Sequence, residues 1–210
     1  MKKQILRGIV VGPVQTNCYL LKHKETGEMV IIDPGAEEER ILWAVDKMEG
    51  TPVAVLLTHG HYDHMCAANE LREHYKIPIY AAKSEEDLLT DSMKNLSGSW
   101  SGQPYTVRAD EYLTDGERFE AAGFSFQMLL TPGHTEGSCC YWVKEEEICF
   151  SGDTLFYGSC GRTDLPTGSM GEMRKSLRKL LEKLPADTEI YPGHGEATDA
   201  AFEKIHNPYL

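Results

Sequence analysis

Four side chains that can bind a metal ion lie within six consecutive positions, directly after an apolar segment of the chain. The apolar segment runs from Val53 to Leu57, and its length and branched side chains predict a buried strand. The heptapeptide Thr58–His64 (THGHYDH) then supplies three histidines and an aspartate. Gly60 frees the backbone between two of the histidines, so that their rings can converge. A polar surface loop rarely holds such a set beside a core strand, and the heptapeptide therefore predicts a metal site.

The composition limits the classes of partner. A chain of 210 residues is long enough to form one domain with a sizeable core. Its formal net charge of -12, without a long basic run, argues against a nucleic-acid partner, because such binding draws on clustered lysine and arginine. No segment has the length and apolarity of a membrane span, so we expect no membrane partner. The oligomeric state stays open.

The cysteines and the N-terminus predict a cytoplasmic protein. None of the six cysteines forms a C-x-x-C pair, and most lie in apolar segments, as reduced and partly buried thiols do. After Lys2 and Lys3 the apolar stretch is interrupted by Arg7 and Gly8, so it lacks the core of a signal peptide.

Hydrophobic periodicity predicts an alternation of strands and helices, which is typical of an α/β domain. The predicted strands cover residues 4–11, 17–22, 29–32, 53–57, 77–81, 124–130, 138–143, 147–150 and 189–191. The predicted helices begin near residues 37, 68, 84, 169 and 199, and Ser169 and Glu172 have the spacing of a capping box. His23, His74 and His206 lie in no motif, and we expect them at the surface.

Ligand-type residues recur at strand ends in the second half of the chain. His134, Asp153 and His194 each follow a predicted strand closely and lie beside a glycine. Because ligand sites of α/β sheets collect at one edge of the strands, we expect these residues to join the heptapeptide. The combined set would supply two metal ions and consists of His59, His61, Asp63, His64, His134, Asp153 and His194. Imidazole and carboxylate ligands suit zinc, iron or manganese and do not choose among them.

The heptapeptide resembles the T-H-x-H-x-D-H motif of the metallo-β-lactamase superfamily, and the later residues are similar to that family's later motifs in order and context. The resemblance implies an αββα sandwich, in which two mixed β-sheets are flanked by helices. It also implies two divalent metal ions, with zinc expected and iron or manganese as alternatives. One ion would be held by His59, His61 and His134 and the other by Asp63, His64 and His194, with Asp153 bridging the two. Asp33 matches an acidic residue of the family that orients a ligand.

Two further segments, 158–164 (GSCGRTD) and 207–209 (NPY), resemble the short glyoxalase-II-like (hydroxyacylglutathione hydrolase-like) hydrolases of bacteria. This resemblance implies hydrolysis of a small-molecule thioester, such as S-lactoylglutathione or a related acyl-thiol, by attack of a metal-bridged hydroxide. Asp153 would hold the ions at bridging distance, and Asp63 would also accept a hydrogen bond from the nucleophile. A thiol has a pKa near ~8.5, so a thiolate leaves without acid assistance. Asp153 stands where zinc β-lactamases use cysteine, which argues against lactam cleavage.

We expect residues 1–210 to form a single domain. Glyoxalase II enzymes proper carry a C-terminal helical region that helps to bind glutathione, and only 16 residues follow His194 here (210 − 194), so we expect that region to be absent. Those enzymes also contact the thiol carrier through a lysine and a tyrosine where this chain has Arg162 and Asp164. Arg162 could bind a substrate carboxylate, or the two residues could pair and brace their loop. The segment 90–104 is either a mobile loop over the site or a surface connection.

An oxidoreductase is the main competing hypothesis. Persulfide dioxygenases resemble the chain in the same ligand motifs and in the Gly-Arg-Thr-Asp stretch, and they use a single iron held by two histidines and an aspartate. The ending at 207–209 favours the hydrolase. A phosphodiesterase or RNase of the same superfamily is disfavoured by the net charge, and a non-catalytic metal module would need blocked coordination positions.

Overall fold

Two mixed β-sheets lie face to face in the computed structural model, which describes residues 2–210. The strands of the first sheet are β1 (Gln4–Val11), β2 (Thr16–His23), β3 (Glu28–Ile32), β4 (Thr51–Leu56), β5 (Ile79–Ala82) and β6 (Glu111–Leu113). They lie side by side in chain order. The first three are antiparallel, and β3 to β6 are parallel.

The second sheet comes mainly from the other half of the chain. Its strands are β7 (Arg118–Ala121), β8 (Phe124–Leu130), β9 (Cys139–Val143), β10 (Ile148–Gly152), β13 (Glu189–Pro192) and β14 (Thr198–Asp199). Their spatial order is β14-β13-β10-β9-β8-β7, and only the β10–β13 pair is parallel. A separate small hairpin joins β11 (Leu155–Phe156) to β12 (Ser159–Cys160).

Helices cover the outer faces of both sheets. They are α1 (Glu38–Lys47), α2 (Tyr62–Met65), α3 (Ala68–Tyr75), α4 (Glu86–Leu89), α5 (Met170–Lys183) and α6 (Ala200–His206). The predicted capping box is confirmed at α5, where the Ser169 side chain accepts a hydrogen bond from the backbone N–H of Glu172. Short 3-10 turns occupy Lys83–Glu85 and Lys144–Glu146.

Three apolar clusters hold these layers together. The central cluster lies between the sheets and includes Leu21, Ile32, Phe126 and Phe150. A second cluster packs the outer face of the first sheet against α1 and α3, and a third packs the second sheet against α5. Burying one such side chain contributes about 1.5–3 kcal/mol, so the facing apolar surfaces account for the layered arrangement. The predicted αββα sandwich is therefore confirmed.

The sequence pattern missed the shortest strands. The strands β6, β7, β11, β12 and β14 have two to four residues each. Segments this short contain too few alternations to produce a periodic signal, and β6, β7 and β14 lie at sheet edges, where one side has no partner strand.

The prediction that His23 lies at the surface was wrong. His23 is 5% exposed, and its ring packs edge-on against Phe124 with 5.2 Å between the ring centroids. Its position at the end of β2 points it between the sheets, where an aromatic neighbour covers it. His74 and His206 are exposed, as predicted.

The six cysteines form no disulfide among the described residues: four are buried and two, Cys66 and Cys160, are half-buried. This agrees with the prediction of reduced thiols. In the part of the chain from residue 2 to residue 210, none of the helices combines the length and the apolar character needed to cross a lipid bilayer.

Candidate metal centre

The predicted ligand residues meet at one edge of the sandwich, where strands of both sheets end. The heptapeptide follows β4 of the first sheet, and its second half forms α2. His134, Asp153 and His194 lie just after β8, β10 and β13 of the second sheet. Two backbone contacts also join the sheets here. One is an isolated β-bridge between Thr16 and His194, and the other is a hydrogen bond of 2.7 Å from the Asn17 N–H to the Gly193 carbonyl. The site therefore depends on the packing of the two sheets.

The first cluster consists of His59, His61 and His134, which are at most 3% exposed. One ring nitrogen from each lies within 4.8 Å of the others, and Nδ1 of His61 is 2.8 Å from Nε2 of His134. Burial and the neighbouring imidazoles lower the pKa of His61 to about 3 and that of His59 well below its usual range. Both rings are therefore neutral at neutral pH, the form in which imidazole binds metals.

Hydrogen bonds fix which nitrogen atoms of the first cluster are free. Nδ1 of His134 donates to the backbone carbonyl of Arg162 at 2.7 Å, so that Nε2 points into the cluster. Nε2 of His59 is buried and has no hydrogen-bond partner among residues 2–210. A buried nitrogen without a partner costs free energy, and a metal ion would satisfy it.

The second cluster consists of Asp63, His64 and His194 and is more open than the first. Nε2 of His64 is 3.3 Å from Nε2 of His194 and 3.5 Å from Oδ2 of Asp63. The side chains of Asp63 and His194 are 16% and 25% exposed. Burial opposes a charge on His64, but Asp63, Asp153 and Asp33 outweigh it and raise the pKa of His64 to about 10. Burial likewise opposes a charge on His194, whose pKa is raised by its hydrogen bond to Asp63 and by Asp153.

Asp153 lies between the two clusters. Its Oδ1 is 3.4 Å from Nε2 of His64, and its Oδ2 is 3.4 Å from Nε2 of His134. A third group of ligand-type atoms, from His59, His64 and Asp153, also converges within 4.8 Å. Oδ1 of Asp153 is buried without a hydrogen-bond partner in the described chain. These nitrogen and carboxylate oxygen atoms form a donor set that fits divalent metal ions.

Asp33 orients the His64 ring of the second cluster. Its carboxylate accepts hydrogen bonds from the backbone N–H of Thr58 at 2.8 Å and from the Thr58 hydroxyl at 2.6 Å. Its Oδ2 also lies 3.0 Å from Nδ1 of His64, so the opposite nitrogen of that ring points to the cluster. This contact is the one expected of a residue that orients a ligand.

The role that we expected for Gly60 needs correction. Its φ is not positive, so the heptapeptide does not use the backbone freedom of glycine there. A Cβ at this position would lie 2.8 Å from Cδ2 of Leu88, so glycine suits this position because the loop packs closely against α4.

A cavity of about 160 Å³ opens onto five of the candidate ligand residues, which are His61, Asp63, His134, Asp153 and His194. Besides those residues, its wall contains Val14, Tyr62, Leu96, Trp100, Arg162 and Leu165. A larger cavity of about 470 Å³ adjoins it along Tyr62, Asp63 and Trp100. The segment 90–104 supplies Leu96 and Trp100 to the wall, so it borders the site and includes a helical turn at Ser97–Ser101.

Arg162 and Asp164 are paired with each other. The guanidinium donates two hydrogen bonds of 2.7 Å to the two carboxylate oxygens, in the fork geometry typical of such pairs. These bonds lower the pKa of Asp164 to about 2. The guanidinium carbon also lies 5.7 Å from the ring centroid of Trp100. Of the two interpretations of these residues, the structure contains the paired one.

Two residues that support the site were missed by the sequence analysis. The hydroxyl of Thr16 donates to Oδ2 of Asp63 at 3.0 Å, although Thr16 is 47 positions away along the chain. Glu85 is buried beside the first cluster, although it lies in a run of charged residues that looks like a solvated turn. Neither residue lies in a motif: the order of the strands in the first sheet brings Thr16 to Asp63, and the packing of the two sheets brings Glu85 to Thr135.

Comparison with known proteins places this geometry in a family. A model described as the metallo-beta-lactamase superfamily matches residues 11–194. The chain is 38% identical to the probable metallo-hydrolase YqgX of Bacillus subtilis over 205 residues, which cover 97% of this chain and 96% of the relative. It is 36% identical to the hydroxyacylglutathione hydrolase GloC of Haemophilus influenzae, with 96% of both chains covered.

Solved structures agree in fold. The structure of the BLEG-1 B3 metallo-beta-lactamase has a TM-score of 0.92 and 38% identity and covers 98% of this chain and 99% of its own. TTHA1623 in a di-iron-bound form has a TM-score of 0.86 and 36% identity, with 97% and 100% covered. ETHE1 from Myxococcus xanthus has a TM-score of 0.77 and 31% identity, with 97% and 83% covered. The chain therefore belongs to the metallo-beta-lactamase superfamily.

Proposed function

We propose that this protein hydrolyses thioesters with the help of two divalent metal ions held by the two clusters. The observation that supports this proposal most directly is the carboxylate of Asp153, which faces histidines of both clusters. Bound divalent ions would supply an activated water as the nucleophile and would polarise the carbonyl group of the substrate. Zinc is the ion that we propose, with iron and manganese as alternatives that suit the same ligands.

Asp63 is the residue that we propose to orient the nucleophile. Burial raises the pKa of Asp63, but His64 and His194 have the larger combined effect and hold the pKa well below the usual range. The side chain is therefore an ionised carboxylate, which can accept a hydrogen bond from the attacking water. The hydroxyl of Thr16 fixes its orientation.

The side chains that line the cavity favour a substrate whose leaving group departs without protonation by a general acid. Apart from the ligand-type residues, the polar side chains that residues 2–210 contribute to the wall are Tyr62, Arg162 and the indole of Trp100, whose N–H is far too weakly acidic to protonate a leaving group. Burial raises the pKa of Tyr62, and a guanidinium does not give up its proton at neutral pH. In thioester hydrolysis the carbon–sulfur bond breaks, the sulfur keeps the electron pair, and the thiolate takes a proton from solvent. A thiol pKa near ~8.5 makes this step accessible without a general acid.

The relative described as a hydroxyacylglutathione hydrolase supports S-lactoylglutathione as the first substrate to test. Arg162 lines the cavity, but its guanidinium already pairs with Asp164, whose negative charge opposes the approach of a second carboxylate such as those of glutathione. An acyl-thiol with fewer carboxylates is therefore an equal candidate, and the proposal includes both.

The test is metal content followed by a substrate panel. Protein purified without added metal is analysed for zinc, iron and manganese, and then reloaded with each metal and assayed with S-lactoylglutathione and with uncharged acyl-thiols. We expect two ions per chain and thiol release at a rate that a chelator abolishes. If no reloaded form cleaves any thioester, the proposal is wrong.

A mononuclear-iron persulfide dioxygenase is the second candidate. Two observations support this candidate. The fold is similar to that of ETHE1, and two histidines converge with an aspartate. Oxygen uptake with glutathione persulfide, together with one iron per chain, would favour it over the hydrolase. Because a relative of known structure is described as a B3 metallo-beta-lactamase, the panel also includes a β-lactam, for which we expect no cleavage.

A further inference from the structure

Glu85 is a buried acid within a polar turn. Its neighbours Lys83, Ser84 and Asp87 are exposed, whereas Glu85 is 1% exposed. No salt bridge involves Glu85 within residues 2–210, although burying a carboxylate without a cationic partner is costly. A residue buried at this cost calls for an explanation in terms of what it contacts.

One oxygen of Glu85 binds both loops of the first cluster. Oε1 accepts a hydrogen bond of 2.9 Å from the backbone N–H of Gly60 and one of 2.8 Å from the hydroxyl of Thr135. Gly60 lies between His59 and His61, and Thr135 directly follows His134. The carboxylate thus joins the end of a strand in the first sheet to the end of a strand in the second.

Glycine at position 137 leaves the space that the side chain of Glu85 occupies. A Cβ at Gly137 would lie 2.1 Å from Oε2 and 2.6 Å from the backbone nitrogen of Glu85, so any larger residue would push the second loop away. The Thr135 hydroxyl is also 2.7 Å from Oγ of Ser138, which holds it toward Glu85. Both loops therefore pack against the side chain of Glu85.

We propose that Glu85 is the positioning residue of the first cluster, and that it holds the loops of His59, His61 and His134 at the separation needed to share one metal ion. The inference rests on the proposed metal site. Glu85 touches none of the three rings and acts through the backbone of Gly60 and the side chain of Thr135. Outer residues that orient metal ligands typically change metal affinity by about 10- to 100-fold when they are removed.

The experiment is a zinc titration of the metal-free protein against a chelator, with the imidazole nitrogen resonances recorded by NMR to identify which cluster has bound. Glu85→Ala should weaken zinc binding at the first cluster by about 10- to 100-fold. Binding at Asp63, His64 and His194 should change by less than about threefold. Glu85→Gln keeps an acceptor oxygen for Gly60 and Thr135, and it should restore most of the affinity.

Two further variants separate positioning from general stability. Glu203 is an equally buried acid that accepts hydrogen bonds from Gly158, Thr198 and Asn207, away from the first cluster. Glu203→Gln should leave both zinc affinities unchanged. Asp33→Asn should weaken zinc binding at the second cluster, because Asp33 contacts Nδ1 of His64 directly.

The proposal is overturned if Glu85→Ala binds zinc at the first cluster within about twofold of the wild type, or if Glu203→Gln loses as much as Glu85→Ala. If Glu85→Ala does not fold, Thr135→Val removes one of the two hydrogen bonds and takes its place, and an unchanged affinity then overturns the proposal. Because the readout is zinc binding, a protein that binds zinc but cleaves no thioester contradicts only the proposed function.

Discussion

The two clusters contain similar ligand residues but differ in the protonation of their histidines in the metal-free protein. In the first cluster, burial keeps His59 and His61 neutral, so a metal ion has no proton to displace from them. In the second cluster, carboxylates raise the pKa of His64 to about 10, so this ring is protonated in the metal-free protein at neutral pH. Neighbouring charges, and not ligand identity, therefore decide how strongly protons compete with a metal ion for each cluster.

Replacing the shared residue should have the largest effect, because it removes the connection between the clusters. Asp153→Asn leaves one neutral amide where a carboxylate faces His64 and His134. Charge stabilisation by a bound metal is worth several kcal/mol, so we expect kcat/KM to fall about 1000-fold. Thioester kinetics and zinc stoichiometry measure the effect, and Asp87→Asn, an exposed acid, serves as the control. A loss below tenfold with both zinc ions retained would contradict a shared role.

The two clusters should also differ in the pH dependence of their zinc affinity. Zinc must displace the proton of His64 below pH 10, so the affinity of the second cluster should increase about tenfold per pH unit, or about 30-fold from pH 7 to 8.5. His61 has a pKa of about 3, so over the same range the first cluster should change by less than about threefold. Chelator competition at each pH measures both steps. If the zinc affinities of the two clusters changed equally with pH, zinc would displace the same number of protons from each cluster, which would contradict the prediction.

Replacing Glu85 should have the smallest of these effects, a change in how the free energy of unfolding depends on pH. Burial raises the pKa of Glu85 from 4.5 to about 7, so the folded metal-free protein holds this proton more tightly than the unfolded chain. The resulting stabilisation is present below pH 4.5 and is lost as pH rises through 7. Between pH 6 and 8 the wild type should therefore lose about 1 kcal/mol of unfolding free energy relative to Glu85→Gln. Urea unfolding measures this difference, and identical pH profiles for the two proteins would refute the assignment.

The ligand residues could be predicted from the sequence because each follows an apolar strand. Strand ends are visible as a change from apolar to polar residues, and His134 and Asp153 are visible in this way. The supporting residues could not be predicted, because their partners are distant along the chain. Thr16 meets Asp63 through the order of the strands in the first sheet, and Glu85 meets Thr135 only when the two sheets pack. Burial of Glu85 in a charged turn contradicts the local pattern, and local patterns are all that a single sequence offers. The same reason explains His23, whose cover, Phe124, belongs to the other sheet.

The position of the ligands at the ends of strands from both sheets has a consequence for the whole chain. A metal ion at the proposed first site would contact His59 and His61 of one sheet and His134 of the other, so it would be bound fully only while the sheets are packed together. Binding to the folded form alone adds about 4 kcal/mol of stability when the free metal is 1000-fold above its dissociation constant. Metal binding and folding would thus be linked, and a shortage of the metal would reduce the fraction of folded protein.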